Sequence, residues 1–313
     1  MTRQGMTMAE NRDQQIEAVR RMQDCITENL NQPLTLERLS RAAGYSPWHA
    51  ARMFKSLTGR TPLAYIRACR LSGAALALRD GRDRIIDVAL DFCFESQEGF
   101  TRAFSEVFGT TPARYRKQPP PIPLFMPFRI PGGTPGKKKG EAGMEKERND
   151  QKAADTVFVQ VVERPARKMM LLRGKTADNY YDYCEEMGCD VWGVLCSVKE
   201  ALYEPVGMWL PVNLRKPGTG EYAQGVEVPS AYSGVVPEGF DLIDLPACKM
   251  MVFQGPPYED EDFEEAIGSL WEVMKRYDPV FYGFKWADAD GPRIQLEPQG
   301  ERGYIEARPV RAV

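Results

Sequence analysis

Three sets of residues in this 313-residue chain have the capacity for chemistry. Cys184, Cys189 and Cys196 are close enough together to invite a metal ion. The single histidine, His49, is far away in the chain, and no cysteine pair has C-x-x-C spacing. The expectation is therefore small reduced thiols among the seven cysteines, with no metal, no cofactor and no disulfide framework. Glu227 and Glu306 lie in apolar segments rich in aromatic residues, a setting in which a carboxylate can hold a cation or act as a general base. Arg52 and Arg102 stand 50 residues apart in matching contexts, RMFKSLTGRTPLAY (52–65) and RAFSEVFGTTPARY (102–115). Arginines repeated in this way can pair with guanine edges and phosphates. No Ser–His–Asp or Cys–His set is available, so the chain is not expected to be an enzyme.

These side chains need elements to position them. Ile16, Val19, Met22, Ile26 and Leu30 recur at helical spacing and predict an amphipathic helix over 11–30. In PLTLERLSRAAGYSPWHAARMFKSLTG, Leu36, Leu39 and Ala43 form one stripe. Gly44 ends that helix, Ser46 caps the next and Pro47 suits its first turn. This is helix, tight turn, helix. Ala50, Met53, Phe54 and Leu57 should pack inward, leaving Trp48, Ala51, Arg52 and Lys55 outside. The pattern returns in DRIIDVALDFCFESQEGFTRAFSEVFG, where Ile85, Val88 and Ala89 form the stripe and Ser96 is the cap. Phe100, Ala103, Phe104 and Val107 should point inward, and Gln97, Glu98, Thr101, Arg102 and Ser105 outward. Between the copies, 62–79 reads as one long helix, suited to hold two recognition helices at the roughly 34 Å separation of adjacent major-groove segments.

On YSPWHAARMFK, FESQEGFTRAF and GTTPARYR, residues 11–117 resemble the AraC/XylS-type DNA-binding domain, in particular its MarA/SoxS/Rob group. The resemblance implies base contacts from Trp48, Ala51 and Arg52, then Gln97, Thr101 and Arg102, with Lys55 on phosphate. It also implies double-stranded DNA and RNA polymerase as partners.

The rest of the chain has a different texture. Residues 118–153, Pro-rich and then Gly-rich and charged, read as a flexible linker, with Lys137–Lys139 as part of a solvated tether. Beyond it, PARKMMLLRG (165–174) is echoed by PACKMMVFQG (246–255). Each echo opens a run of strand, strand, helix, strand, strand, so residues 154–313 predict an α+β duplicated domain with a cleft along its pseudo-symmetry axis. P-A-x-K/R-x-x-Φ (Φ apolar), Y-x-x-G-V-E-V-P and G-P-P-Y make this part resemble the gyrase-inhibitor-like effector-binding domain. That resemblance implies an aromatic cleft with a buried carboxylate that takes bulky, often cationic, compounds. Ala223, Gly225 and Glu227 share one strand face, two small residues beside a charge, which makes Glu227 the expected anchor and Glu306 the second choice. Trp192, Trp209, Tyr222, Tyr282 and Trp286 are the expected walls. Trp271, beside core-facing Leu270, is expected to be structural.

Charge separates the two parts. Residues 1–118 carry 18 Lys+Arg against 13 Asp+Glu, whereas 141–313 have a net charge of −12, and the whole chain −3. A basic front suits a polyanion and an acidic back suits cations. No apolar run reaches the roughly 18–20 residues of a membrane span, and MTRQGMTMAENRDQQ lacks a secretion signal, so cytoplasmic residence is expected and no membrane partner. The fold class is multidomain: an all-α tandem helix-turn-helix domain (1–117), then the α+β duplicated domain. The expected function is a DNA-binding transcription regulator that senses small hydrophobic or cationic compounds. The alternative is a hydrolase or a protein-binding module housed in the second domain.

Overall fold

The computed structural model describes residues 8–127, 156–188 and 190–313. Most of the expected linker, with Lys137–Lys139, and Cys189 lie outside the described residues. The chain divides into two compact units. One is helical and runs to Pro119, resuming at Leu124; the other contains Pro120–Pro123 and everything toward Val313 that forms a sheet.

Among its described residues the helical unit has seven helices: α1 (Met8–Glu28), α2 (Leu36–Ala43), α3 (Pro47–Thr58), α4 (Pro62–Asp80), α5 (Ile85–Asp91), α6 (Gln97–Phe108) and α7 (Pro112–Lys117). Local chemistry explains most of their ends. Thr35 caps α2 through the Arg38 N–H, and Gly44 closes it in the left-handed conformation at φ 74°. Ser46 stands at the start of α3, but its hydroxyl makes no capping bond; Pro47, which has no N–H to satisfy, takes the first position instead. The repeated G-x-T-P-x-x-Y is a helix stop followed by a helix start. Gly59 and Gly109 end α3 and α6 with positive φ, and Thr61 and Thr111 cap α4 and α7. Its tyrosines then pack edge-on or tilted against the recognition-helix phenylalanines: Phe54–Tyr65 at 5.1 Å and Phe104–Tyr115 at 5.6 Å between ring centroids. Helix α4 is buried on most sides, from Tyr65 and Ile66 to Ala74, Ala75 and Leu78. Its exposed residues are Leu63, Ala64 and Arg67 near its start and Asp80 at its end.

Two expectations in this unit need correction. Val107 is 50% exposed, and Phe108, one turn beyond Phe104, takes the inward place. The first ten residues of the expected linker are extended and packed. Within the helical unit, the Phe125 N–H donates to Ser72 Oγ (2.7 Å) and its ring meets Tyr65 edge-on. Within the other unit, the Ile122 N–H donates to Ser197 Oγ (2.8 Å).

Among its described residues the second unit is one nine-stranded antiparallel sheet with three α-helices. In chain order it contains β1 (Phe158–Arg164), β2 (Arg167–Arg173), α8 (Tyr180–Met187), α9 (Asp190–Cys196), β3 (Val206–Trp209) and β4 (Tyr222–Pro229). There follow β5 (Asp241–Leu245), β6 (Cys248–Gln254), α10 (Phe263–Arg276), β7 (Phe284–Trp286), β8 (Arg293–Leu296) and β9 (Ile305–Ala312). Across the sheet the order is β1-β6-β9-β8-β3-β4-β2-β5, with β7 on β9. Helix α9 ends at Cys196. The Ser197 hydroxyl donates to the Val194 carbonyl (2.7 Å), taking the acceptor that the next turn would use.

The K-M-M echo now has a physical reason. Met170 packs with Tyr183, Val191 and Leu195 under α8 and α9, and Met251 with Phe253 and Leu270 under α10. Met169 and Met250 meet in one shared core on the opposite face, with Met208, Ala223, Ile294 and Ala307. Each echo thus sends one methionine to its own helix and one to the common interior. Among the described residues no helix is long and apolar enough to cross a membrane.

Candidate functional site

In the helical unit, Trp48 is 71% exposed on the outer face of α3, and the Arg52 guanidinium lies 5.4 Å from its ring centre. Lys55 is exposed and Ala51 half-buried on the same helix. On α6, Gln97, Glu98 and Arg102 are exposed, and Thr101 and Ser105 half-buried. Ser96 Oγ accepts the Gly99 N–H (3.1 Å), which fixes the start of α6. Behind both outer faces the inner residues are fully packed: Ala50 and Phe54 on α3, Phe100, Ala103 and Phe104 on α6. Each helix therefore has a rigid back and a free polar front that includes one arginine. This is the form in which a helix enters a major groove.

In the sheet unit, strand register sorts the expected residues. Glu227 pairs with Met169, on the face of the shared core. Glu306 pairs with Phe253 and Gln295, on the face that carries the helices. The two carboxylates therefore sit on opposite faces and do not share a site. Glu227, expected as a ligand anchor, is instead buried in an ion pair: Arg167 Nε lies 2.6 Å from one oxygen and Arg164 3.6 Å from the other.

Glu306 is fully buried at one end of a polar row. From β9 to β4 the row reads Glu306, Gln295, Gly207, Gln224, four neighbours across four strands. Alongside lie Tyr222, Trp209 and Arg293, themselves paired in register. The Oε1 atom of Glu306 accepts from Tyr304 OH (2.8 Å) and from Trp271 Nε1 (2.6 Å). The Oε2 atom accepts no hydrogen bond and faces Arg293 Nε at 3.5 Å. The buried Tyr222 hydroxyl also has no partner. Gly207 is required here, because a Cβ would stand 2.1 Å from that hydroxyl. Burial pushes the Tyr222 phenol up, and burial followed by the Glu306 charge does the same to Tyr304, so both stay protonated. A buried row of one carboxylate, two carboxamides and two phenols is costly in a sheet core. Two of its oxygens, Glu306 Oε2 and Tyr222 OH, are buried without a hydrogen-bond partner, which is uncommon in a folded protein.

Of the expected wall residues, Trp209 and Tyr222 belong to this place; their rings meet edge-on at 5.3 Å. Trp286 packs on Phe253 and under Arg308. Trp192 is half-buried on α9. Tyr282 is 64% exposed and stacked on Tyr277. Trp271, expected to be structural, donates from Nε1 to Glu306 (2.6 Å). Its side chain lies about 100° round α10 from buried Leu270, which lets it flank the sheet rather than face it. Arg293, Gln295 and Tyr304 were not expected. The signal for them was present in R-I-Q and Y-I-E, where polar residues at i and i+2 share a strand face.

Two helix-turn-helix hairpins on one central helix define the first unit as a tandem helix-turn-helix domain. A helix-turn-helix domain family matches residues 39–118. Over 91 residues the chain is 53% identical to the right origin-binding protein of Escherichia coli strain K12, covering 29% of this chain and 32% of that one. Over 93 residues it is 41% identical to the multiple antibiotic resistance protein MarA of Salmonella typhimurium, covering 30% of this chain and 73% of that one. Among solved structures, the C-terminal domain of AraT, a response regulator from Geobacillus stearothermophilus, is 29% identical with a TM-score of 0.31, covering 32% of this chain and 84% of that one. The chain belongs to the AraC-type family of DNA-binding transcription regulators. It spans about a third of the length of the right origin-binding protein that it matches.

Proposed function

We propose that this protein binds a DNA duplex through the outer faces of α3 and α6 and that its sheet unit is a gyrase-inhibitor-like domain that binds a small hydrophobic or cationic effector. In this reading Trp48, Ala51, Arg52 and Lys55 read one groove segment and Gln97, Thr101 and Arg102 the next, and the regulator acts on RNA polymerase. The observation that carries the DNA half is the pair of rigidly backed helices, each presenting an exposed arginine at positions 50 residues apart.

The effector half is supported by the strand order. Taking β1, β2, β3 and β4 as counterparts of β5, β6, β8 and β9, the order β1-β6-β9-β8-β3-β4-β2-β5 reads the same from either end. A strand-strand-helix-strand-strand unit written twice gives that order when each copy lends its first strand to the other. The centre is the β3–β8 pair, where Gly207 meets Gln295, and the Glu306 row crosses it. A ligand site on a pseudo-symmetry axis between two helical covers is the geometry that the domain family implies.

Selection from random duplexes with the full chain tests the DNA half. An enriched sequence should emerge, and the Arg52→Ala/Arg102→Ala double variant should lose its preference for it. Undiminished preference would remove α3 and α6 from the reading. For the effector half, tryptophan fluorescence of the full chain should be quenched saturably by a lipophilic cation, and Glu306→Gln should weaken that binding.

A further inference from the structure

We infer that Arg293 is a tethered occupant of the cation place beside Glu306, and that an arriving effector is a flat, delocalised cation that displaces it. This rests on the proposed reading of the Glu306 row as the effector site, and it adds what sets the affinity there.

The geometry of Arg293 is that of a bound ligand rather than of a structural ion pair. Elsewhere in the same unit arginines grip carboxylates with two parallel hydrogen bonds: Arg302 on Glu204 at 2.8 and 2.8 Å, Arg308 on Asp288 at 2.6 and 2.7 Å. Such bidentate pairs are the strong ones. Arg293 makes none. Its buried Nε has no hydrogen bond, although Glu306 Oε2 is 3.5 Å away with none of its own. What holds the guanidinium is aromatic: it lies 3.8 Å from the Trp209 ring centre and 5.9 Å from that of Trp271. A cation stacked on indole gains about 0.5–1 kcal/mol where exposed and about 2 when desolvated.

The same three groups define what fits. Trp271 and Tyr304 occupy one oxygen of Glu306 and leave the other for a charge. Two indoles accept a planar, weakly hydrated cation better than a compact ammonium. Arg293 also has a way out, because its side chain is already 35% exposed. A guanidinium tethered at this place lowers the apparent affinity of every competing cation, so weak cations are ignored and only those with a large apolar body displace it.

The test uses the full chain and two isosteric probes, biphenyl-4-carboxamidinium and the neutral biphenyl-4-carboxamide, followed by quenching of tryptophan fluorescence. Arg293→Met should bind the amidinium about tenfold more tightly than wild type, the size expected of removing a cation–π competitor. The amide should gain less than about threefold. Arg293→Lys, which keeps the charge but loses the plane, should fall between, and it reports if the methionine variant does not fold. Amidinium binding that depends on Glu306, shown by its loss in Glu306→Gln, but is unchanged or weaker in both Arg293 variants overturns the tethered-occupant role and leaves the site standing. Binding indifferent to Glu306→Gln, or absent from every variant, overturns the site and this inference together.

Discussion

Arg167 and Cys248 hold the same place in the two P-A-x-K-M-M segments, and in the fold they touch, with both terminal guanidinium nitrogens 3.6 Å from Cys248 Sγ. The same guanidinium donates to the carbonyls of Pro165 (3.2 Å) and Pro246 (3.0 Å) and pairs with Glu227. One side chain thus ties both P-A turns together and satisfies a buried carboxylate. The duplicated motif is identical where its methionines pack. It differs at the third position, where Arg167 of one segment meets Cys248 of the other.

Removing Arg167 should therefore be severe. Arg167→Met leaves Glu227, nearly buried, with only Arg164 at 3.6 Å. An uncompensated buried charge costs about 3–5 kcal/mol. Denaturant unfolding followed by tryptophan fluorescence should show that loss in the single variant and much less in Arg167→Met/Glu227→Leu, where both charges go. A single variant within about 1 kcal/mol of wild type would mean that the pair does not hold the turns.

The two helix-turn-helix hairpins differ at one backbone position. Both turns send an N–H back to the helix they leave, Tyr45 to the Ser40 carbonyl and Phe94 to the Ala89 carbonyl. The left-handed residue before it is Gly44 in the first hairpin and Cys93, at φ 58°, in the second. A side chain there costs about 1 kcal/mol. Cys93→Gly should stabilise the helical unit by roughly that amount, and Gly44→Ala should destabilise it similarly. Thermal unfolding followed by circular dichroism at 222 nm reads both.

Alkaline pH should unfold the helical unit from within. Burial pushes the Tyr65 and Tyr115 phenols from their ordinary value of 10.0 up to about 12. A phenol whose folded value is raised contributes stability that is intact below pH 10 and is lost as pH climbs toward 12. Helical signal should be flat to about pH 10 and then fall, and Tyr65→Phe/Tyr115→Phe should shift that fall to higher pH. A double variant that melts at the same pH as wild type would assign the transition to other groups.

The helical unit was legible in sequence because its signals are local. Glycine stops, threonine caps and prolines at first positions recur at a spacing of 50, and each acts within one turn of helix. Cys93 hid the second stop, since no glycine marks it. The sheet site was harder to read, because its members come from strands far apart in the chain. Ala223 and Gly225 beside Glu227 suggested room for a ligand. In the fold a Cβ on Gly225 would meet the Met170 carbonyl at 2.7 Å and the Met208 side chain at 2.8 Å, so the small residue serves close packing. Glu306 gains its partners only when β9 lies beside β8 and under α10, an arrangement that strand order sets and periodicity cannot.

The central claim is that one chain lays two helices into one duplex. Hydroxyl-radical footprinting of the full protein on a selected site tests it most directly. Two protected patches on one face, spaced by about one helical turn of 10 base pairs, are predicted. Arg52→Ala should weaken one patch and Arg102→Ala the other. A single patch lost equally with either substitution would contradict the account.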